Sequence, residues 1–399
     1  MMGNWKEINL KNLIETNRRS IGRDYQFSDI LYLDTGSITC NRIDGLQRFR
    51  ISDAPSRAKR LVENQDIVYS TVRPNQLHYG FIEHPPENLV VSTGFVTITC
   101  DKSKLNPLFL YYNLIQEQTT EFLHSIAEAS TSAYPSLKPS DIESLEILLP
   151  PLPEQRAIAS ILSSLDDKID LLHLQNKTLE QLAETLFRQW FVEEAEESWE
   201  VGSINDLIEI QSGFAFKSAD FKDDGYYRLV TIKNVQDGFL DTSRMDCLDD
   251  VPTRMPSHCS LEIGDILLSL TGNVGRCCLV DESGLLLNQR VAKLQPLKSS
   301  NWAFTYIFFR LENTRRLLEE LSKGTAQANL SPIETGRMEL QLPSLSVLSA
   351  FSETATPMVE KILKNKFQIR TLTQLRDTLL PKLVSGELRV QMNGDDPAL

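Results

Sequence analysis

The chain has 399 residues, 41% of them apolar and 24% charged, with 41 Lys+Arg against 54 Asp+Glu for a net charge of −13. That length allows two or more ordinary domains, and the composition is that of a soluble globular protein. No run of about 18 apolar residues exists, which excludes an ordinary membrane-spanning helix; the acidic total argues against a simple DNA-binding domain, which is usually basic.

The first stretch, MMGNWKEINLKNLIE, is polar and lacks the apolar core of a signal peptide, so a cytoplasmic protein is expected. Residues 1–150 then carry short β-like runs bounded by Gly, Pro and Asn, among them Ile67–Thr71 and Leu89–Ile98. A helical stretch, Leu108–Ile126, follows, and after it a Ser/Thr-rich loop. The tetrad NPLF (106–109) resembles the D/N-P-P-Y/F tetrad of amino-methyltransferases, but the second proline is missing and no glycine-rich cofactor loop precedes it. A helix start capped by Asn106, with Pro107 in the first turn, is the expected structure.

LPPLPEQRAIASILSSLDDKID (149–170) opens a long helix after a proline turn. Ile158, Leu162, Leu165, Ile169, Leu172, Asn176, Leu179, Ala183, Leu186 and Trp190 recur at alternating steps of four and three, which is a coiled-coil seam. Residues 151–198 hold ten acidic residues against four basic ones. Asp166, Asp167, Asp170, Glu180 and Glu184 fall off the seam and are expected to face a protein partner rather than DNA.

From residue 198 the plan repeats. NWKEINLKNLIE (4–15) is matched by SWEVGSINDLIE (198–209), LVENQDIVYSTVRPN (61–75) by LEIGDILLSLTGN (261–273), NPLFLYYNL (106–114) by NWAFTYIFFRL (301–311), and SLKPSDIESLEILLP (136–150) by NLSPIETGRMELQLP (329–343). Strands are expected over Asp265–Leu270 and Leu285–Lys293, and a helix over Phe304–Leu321. LTGNVGR (270–276) lacks the Gly-Lys-Ser/Thr end of a phosphate loop and reads as a turn between strands or as a polar DNA-facing loop. The second long helix has its own seam: Leu348, Phe351, Ala355, Met358, Ile362, Asn365, Ile369, Leu372, Arg376, Leu379 and Leu383, with Pro357 expected to kink or restart it.

Two such stripes in one chain are each other's nearest partners. Paired antiparallel about their midpoints, they set Asn176 opposite Asn365, where facing amides fix the register. The alternative is two separate helices, each packed on its own domain. The expected fold is α+β: two β-rich domains (1–150 and 198–342) and two long helices (151–197 and 343–399) forming an antiparallel intramolecular coiled coil with pseudo-two-fold symmetry. Each helix of about 33 residues would extend about 50 Å, a rigid spacer between two similar readers.

Catalytic chemistry is hard to place. Cys40, Cys100, Cys247, Cys259, Cys277 and Cys278 include no C-x-x-C pair and read as reduced, mostly buried thiols, with the adjacent pair on a strand. The five histidines (His78, His84, His124, His173, His258) form no cluster, and the carboxylates show no nuclease-like spacing. Neither catalytic nor metal-binding residues are assigned.

LPPLPEQRAIASILSSLDDKIDLLHLQNKTLEQLAETLFRQWF (149–191) closely resembles the central region of specificity subunits of type I restriction-modification systems. IQSGFAFKSADF (210–221), IKNVQDG (232–238), LEIGDILLSLTGNVGR (261–276), GTAQANLSP (324–332) and LRDTLLPKLVSGEL (375–388) resemble further signatures of that family. The resemblance implies two target-recognition domains, each reading half of a split, asymmetric duplex DNA sequence, with the helices as a ruler. It implies two adenine-N6 methyltransferase subunits and motor-nuclease subunits as partners. S-adenosylmethionine, ATP and Mg would sit on those partners and none on this chain. VYSTVRPN (68–75) and STSAYPSL (130–137) match the family only loosely.

Phosphates are held by Lys, Arg and small hydroxyls, and base edges are read by Arg, Asn and Gln. Loops carrying these types at repeat-equivalent positions supply the DNA-binding candidates. They are Ser70, Thr71, Arg73, Asn75, Thr131, Ser132 and Tyr134 in the first domain. In the second they are Lys217, Lys233, Asn234, Asn273, Arg276, Lys323, Thr325, Gln327 and Asn329. The competing reading is a protein-interaction scaffold with two β domains on a coiled-coil spacer; an enzyme acting alone is a further rival.

Overall fold

The structure, a computed structural model, describes residues 5–129, 136–323 and 329–390. The chain divides into two compact units: residues 1–168 together with 372–399, and residues 169–371. Each long helix contributes a segment to both units.

Unit 1 is built on three sheets. In the first, Ile14–Thr16, Phe95–Cys100, Asp66–Ser70 and Tyr79–Ile82 lie side by side in that order, antiparallel throughout. The second orders Gln47–Arg50, Asp29–Leu33, Leu89–Ser92 and Ala58–Leu61, with one parallel pair at its centre. The third pairs Lys6–Asn9 with Glu146–Leu149. Unit 2 repeats this strand for strand. Ile208–Ser212, Val291–Pro296, Ile266–Ser269 and Cys277–Leu279 form the first sheet; Cys247–Leu248, Tyr227–Val230, Leu285–Leu287 and Ser260–Leu261 form the second; Glu200–Ser203 pairs with Glu339–Leu342. Unit 1 adds a small hairpin, Ile38–Thr39 with Arg42–Ile43. The internal repeat read from sequence is therefore a repeat of topology and of sheet order.

Two expected strands turn out differently. Leu89–Ile98 is two strands, Leu89–Ser92 and Phe95–Cys100, placed in different sheets and joined at Thr93–Gly94. Leu285–Lys293 likewise splits into Leu285–Leu287 and Val291–Pro296 around Asn288–Arg290. Each run passes from one sheet to the next, and both pieces are buried, so the apolar pattern continues across the break. The expected helices also divide, into Pro107–Leu114 and Glu117–Glu128, and into Trp302–Arg310 and Glu312–Ser322. Asn106 caps the first of these, its side chain accepting from Phe109 N at 2.9 Å.

The central helix spans Leu152–Arg188 and the C-terminal helix Leu345–Val384. Every seam residue of both is buried or half-buried. Within unit 1, Ile158 and Leu162 share a core cluster with Leu380 and Leu383, and Asp166 meets Arg376 at 2.8 Å. Within unit 2, Asn176 meets Asn365, and Phe187 and Trp190 pack on Phe351 with ring centroids 6.0 and 5.9 Å apart. In each unit the partner number falls as the residue number rises, so the segments run antiparallel. A fully buried Leu, Ile or Phe is worth about 1.5–3 kcal/mol, which makes the seam the main source of helix stability. The C-terminal helix does not restart at Pro357: the residue is exposed, and only one intrahelical bond is lost on a wetted face.

The proline turn before the central helix is anchored by the two residues that follow it. Gln155 is buried; its Nε2 donates to Lys104 O and Pro150 O, and its Oε1 accepts from Asn106 N at 2.8 Å. Glu154, also buried, takes both Arg389 nitrogens at 2.7 and 2.9 Å and the Trp5 indole N–H at 3.1 Å, while the Arg389 guanidinium lies 5.1 Å from the Trp5 ring centre. Trp5, Arg389 and the start of the central helix are thus tied together inside unit 1.

The expected outward acidic face is partly an inward one. Asp166 also accepts from Tyr112 Oη at 2.6 Å, and Glu180 receives Arg310 and Tyr306 Oη, each at 3.4 Å. Asp166 pins its helix segment within unit 1 and Glu180 its segment within unit 2, because tyrosine and arginine partners on the helices of each unit reach them. Glu184 is pushed up by desolvation, with Arg310 opposing.

Candidate nucleic-acid interface

The point where each split run changes sheet lies beside the candidate loops. In unit 1, Thr71 N donates to Gly94 O at 2.8 Å, and Leu137 N donates to Thr71 O at 2.8 Å. In unit 2, Leu270 N donates to Arg290 O at 2.9 Å, and Leu330 N donates to Leu270 O at 2.7 Å. Bridges Val72–Ser136 and Thr271–Asn329 complete the same pattern. Three segments distant in sequence therefore meet at one end of the first sheet in both units.

A buried serine stands behind each loop. Ser70 Oγ donates to Val72 O at 3.0 Å, and Ser269 Oγ donates to Asn273 O and accepts from Arg276 N at 3.0 Å. Both serines are 1% exposed, so Ser70 braces the loop and does not reach a ligand itself. Thr71 is half-buried, with its hydroxyl on Gly94 O at 2.9 Å. Arg73 and Asn75 are exposed. Arg73 has φ 49°, a left-handed backbone disfavoured for a residue with a Cβ.

In unit 2, Asn273 is exposed and its amide lies 3.1 Å from the half-buried Arg276 guanidinium, which also donates to Gln236 Oε1. That contact joins the 231–236 turn to the 270–276 loop. Asn234 is spent inside its own turn: its Oδ1 accepts from Thr231 N and Oγ1, and its Nδ2 donates to Asp241 O and Arg244 O. Lys217, Lys233 and Lys323 are exposed on neighbouring segments, and Asn329 is exposed beside Thr271. Thr131, Ser132, Tyr134, Thr325 and Gln327 lie outside the described residues.

The reading from sequence missed the turn Asn288–Arg290, because it lay inside an expected strand. Gln289 and Arg290 are exposed there. The polar triplet NQR between LLL and VAKL was the available signal. Gly213 is forced by this turn, since a Cβ on it would stand 2.1 Å from Asn288 O.

The exposed candidate side chains of unit 2, Lys217, Lys233, Asn273, Lys323 and Asn329, supply hydrogen-bonding groups and positive charge. Burial pushes the Cys278 thiol up to about 12 and the Cys277 thiol upward as well, so neither supplies a thiolate near neutrality. Among the described residues, no three His, Cys, Asp or Glu side chains stand together as metal ligands, and no helix is long and apolar enough to cross a membrane.

A sequence profile described as "Type I restriction modification DNA specificity domain" matches residues 2–181 and 196–348. The HindI specificity subunit of Haemophilus influenzae is 25% identical over 97% of this chain and 100% of its own length. The MjaIX specificity subunit of Methanocaldococcus jannaschii is 27% identical over 78% of this chain and 76% of its own. Among solved structures, the type I restriction-modification S subunit from M. genitalium superposes with a TM-score of 0.60 at 17% identity, covering 98% of this chain and 97% of that one, which is a likeness of fold. With the two profile matches falling one on each half of the repeat, the chain belongs to the type I restriction-modification DNA specificity family.

Proposed function

We infer that this chain is the DNA sequence-recognition subunit of a type I restriction-modification complex. Each unit reads one half of a bipartite, asymmetric duplex target, and the chain docks adenine-N6 methyltransferase and motor-nuclease subunits in the cytoplasm. The chain itself is non-catalytic; S-adenosylmethionine, ATP and Mg act on the partner subunits. The observation that carries this reading is the platform built twice from the same three segments, bearing different exposed side chains in each unit. A common scaffold with unlike polar tips suits two unlike half-sites better than one duplicated active site. Thr71, Arg73 and Asn75 serve one half-site; Lys217, Lys233, Asn273, Lys323 and Asn329 serve the other, with Arg276 bracing the loop that carries Asn273.

The test is equilibrium binding to target and scrambled duplexes across a salt series, with and without the methyltransferase subunit. Because the chain is acidic overall, it should bind DNA weakly alone. In the complex it should bind tightly, with affinity falling steeply and log-linearly with salt. A complex that shows no preference for any duplex even at low salt would favour the protein-scaffold reading.

A further inference from the structure

Two exposed side chains on the unit 2 platform take part in no contact described above. We propose that Gln289 and Arg290 are base-reading residues of unit 2, with Arg290 directed at a guanine edge; this rests on the DNA-recognition reading.

The turn that carries them is clamped from three sides. Phe214 N donates to Leu287 O at 3.0 Å and Phe214 O accepts from Gln289 N at 2.9 Å; Asn288 N reaches Val230 O at 3.1 Å; Leu270 N holds Arg290 O at 2.9 Å. Asn288 is buried and its Oδ1 accepts from Gln289 N at 2.7 Å. Side chains on such a turn start from a fixed backbone, which lowers the ordering cost of each contact they make.

Arg290 sits at φ 71°, in the left-handed region where glycine is the unstrained choice. The left-handed backbone is particular to unit 2, since Gly94, the corresponding residue of unit 1, is not left-handed. Unit 2 keeps a long cation there despite the backbone cost. Among the described residues no hydrogen bond or ion pair engages the Arg290 guanidinium, whereas Arg276 beside it is held by Gln236 and lies against Asn273. Arg276 is thus a brace and Arg290 an open fork. A guanidinium fork matches guanine O6 and N7 in the major groove, and a glutamine amide matches adenine N6 and N7. Unit 1, with Thr93–Gly94 at this place, has no such reach and must read through other residues, Arg73 among them.

The experiment uses the full chain with its methyltransferase subunit and a duplex library randomised over the target, comparing wild type with Arg290→Ala, Arg290→Lys, Arg290→Gly and Gln289→Ala. The expected result is loss of preference at one base pair of a single half-site, by about tenfold or more for Arg290→Ala and Arg290→Gly, with the other half-site unchanged. Arg290→Gly relieves the backbone cost, so its agreement with Arg290→Ala separates base reading from strain. Unaltered preferences in all four variants would overturn the proposal. So would a loss uniform over all sequences with a salt slope smaller by about one, the mark of a phosphate contact. A wild-type complex with no preference anywhere would overturn the DNA-recognition reading itself.

Discussion

Asn176 and Asn365 show how one residue type carries information that an apolar seam cannot. Asn365 is fully buried, and its Nδ2 is shared between Asn176 Oδ1 at 2.8 Å and Gln175 Oε1 at 2.9 Å. A seam of Leu and Ile accepts several registers; an amide pair accepts the one in which donor meets acceptor. Asn365→Leu leaves the buried Asn176 acceptor without its donor and should cost about 1–3 kcal/mol in urea unfolding of the full chain. Asn176→Leu with Asn365→Leu should recover most of that loss, because both polar groups are then gone. A double variant as unstable as the sum of the singles would contradict the pairing. This contact was legible in sequence because two regular repeats fix where their midpoints meet. Glu154 with Arg389 was not, since the pair is 235 positions apart and neither residue sits in a pattern.

Among elements, the long helices were the most readable, since a heptad stripe is a local signal repeated many times. The strands were readable as apolar runs, but their sheet membership was not. Leu285–Lys293 reads as one strand because residues on both sides of Asn288–Arg290 are buried, and burial on both faces erases the alternation that would mark the break. The interface turn was hidden for this reason, and only its polar triplet betrays it. The turn also depends on a close backbone approach at Gly213. Gly213→Ala should shift the 213–217 segment off Asn288, destabilise unit 2 by about 1–3 kcal/mol and weaken discrimination in the unit 2 half-site alone. Unfolding curves together with duplex-library binding would check it; an equal loss in both half-sites would count against the local explanation.

At the scale of the molecule, the two units repeat one topology with different surfaces. The repeat was visible in sequence through four matched segments in order, and the sheets show why those segments are kept: they supply the strands and helix starts that build each platform. The loops between them diverge, as loops that read different sequences should. Asp166, Glu180 and Glu154 pair with arginines within their own units, so these three carboxylates are taken up inside the fold, although the net charge of −13 is unchanged by such pairs.

The most direct test of the central claim, two unlike readers on one chain, is a genome-wide map of methylated adenines in cells with and without the gene, the partner genes being present in both. The account predicts one gene-dependent motif with two dissimilar half-sites separated by unread base pairs. A motif that is continuous, or palindromic with identical halves, or no gene-dependent methylation at all, would contradict it.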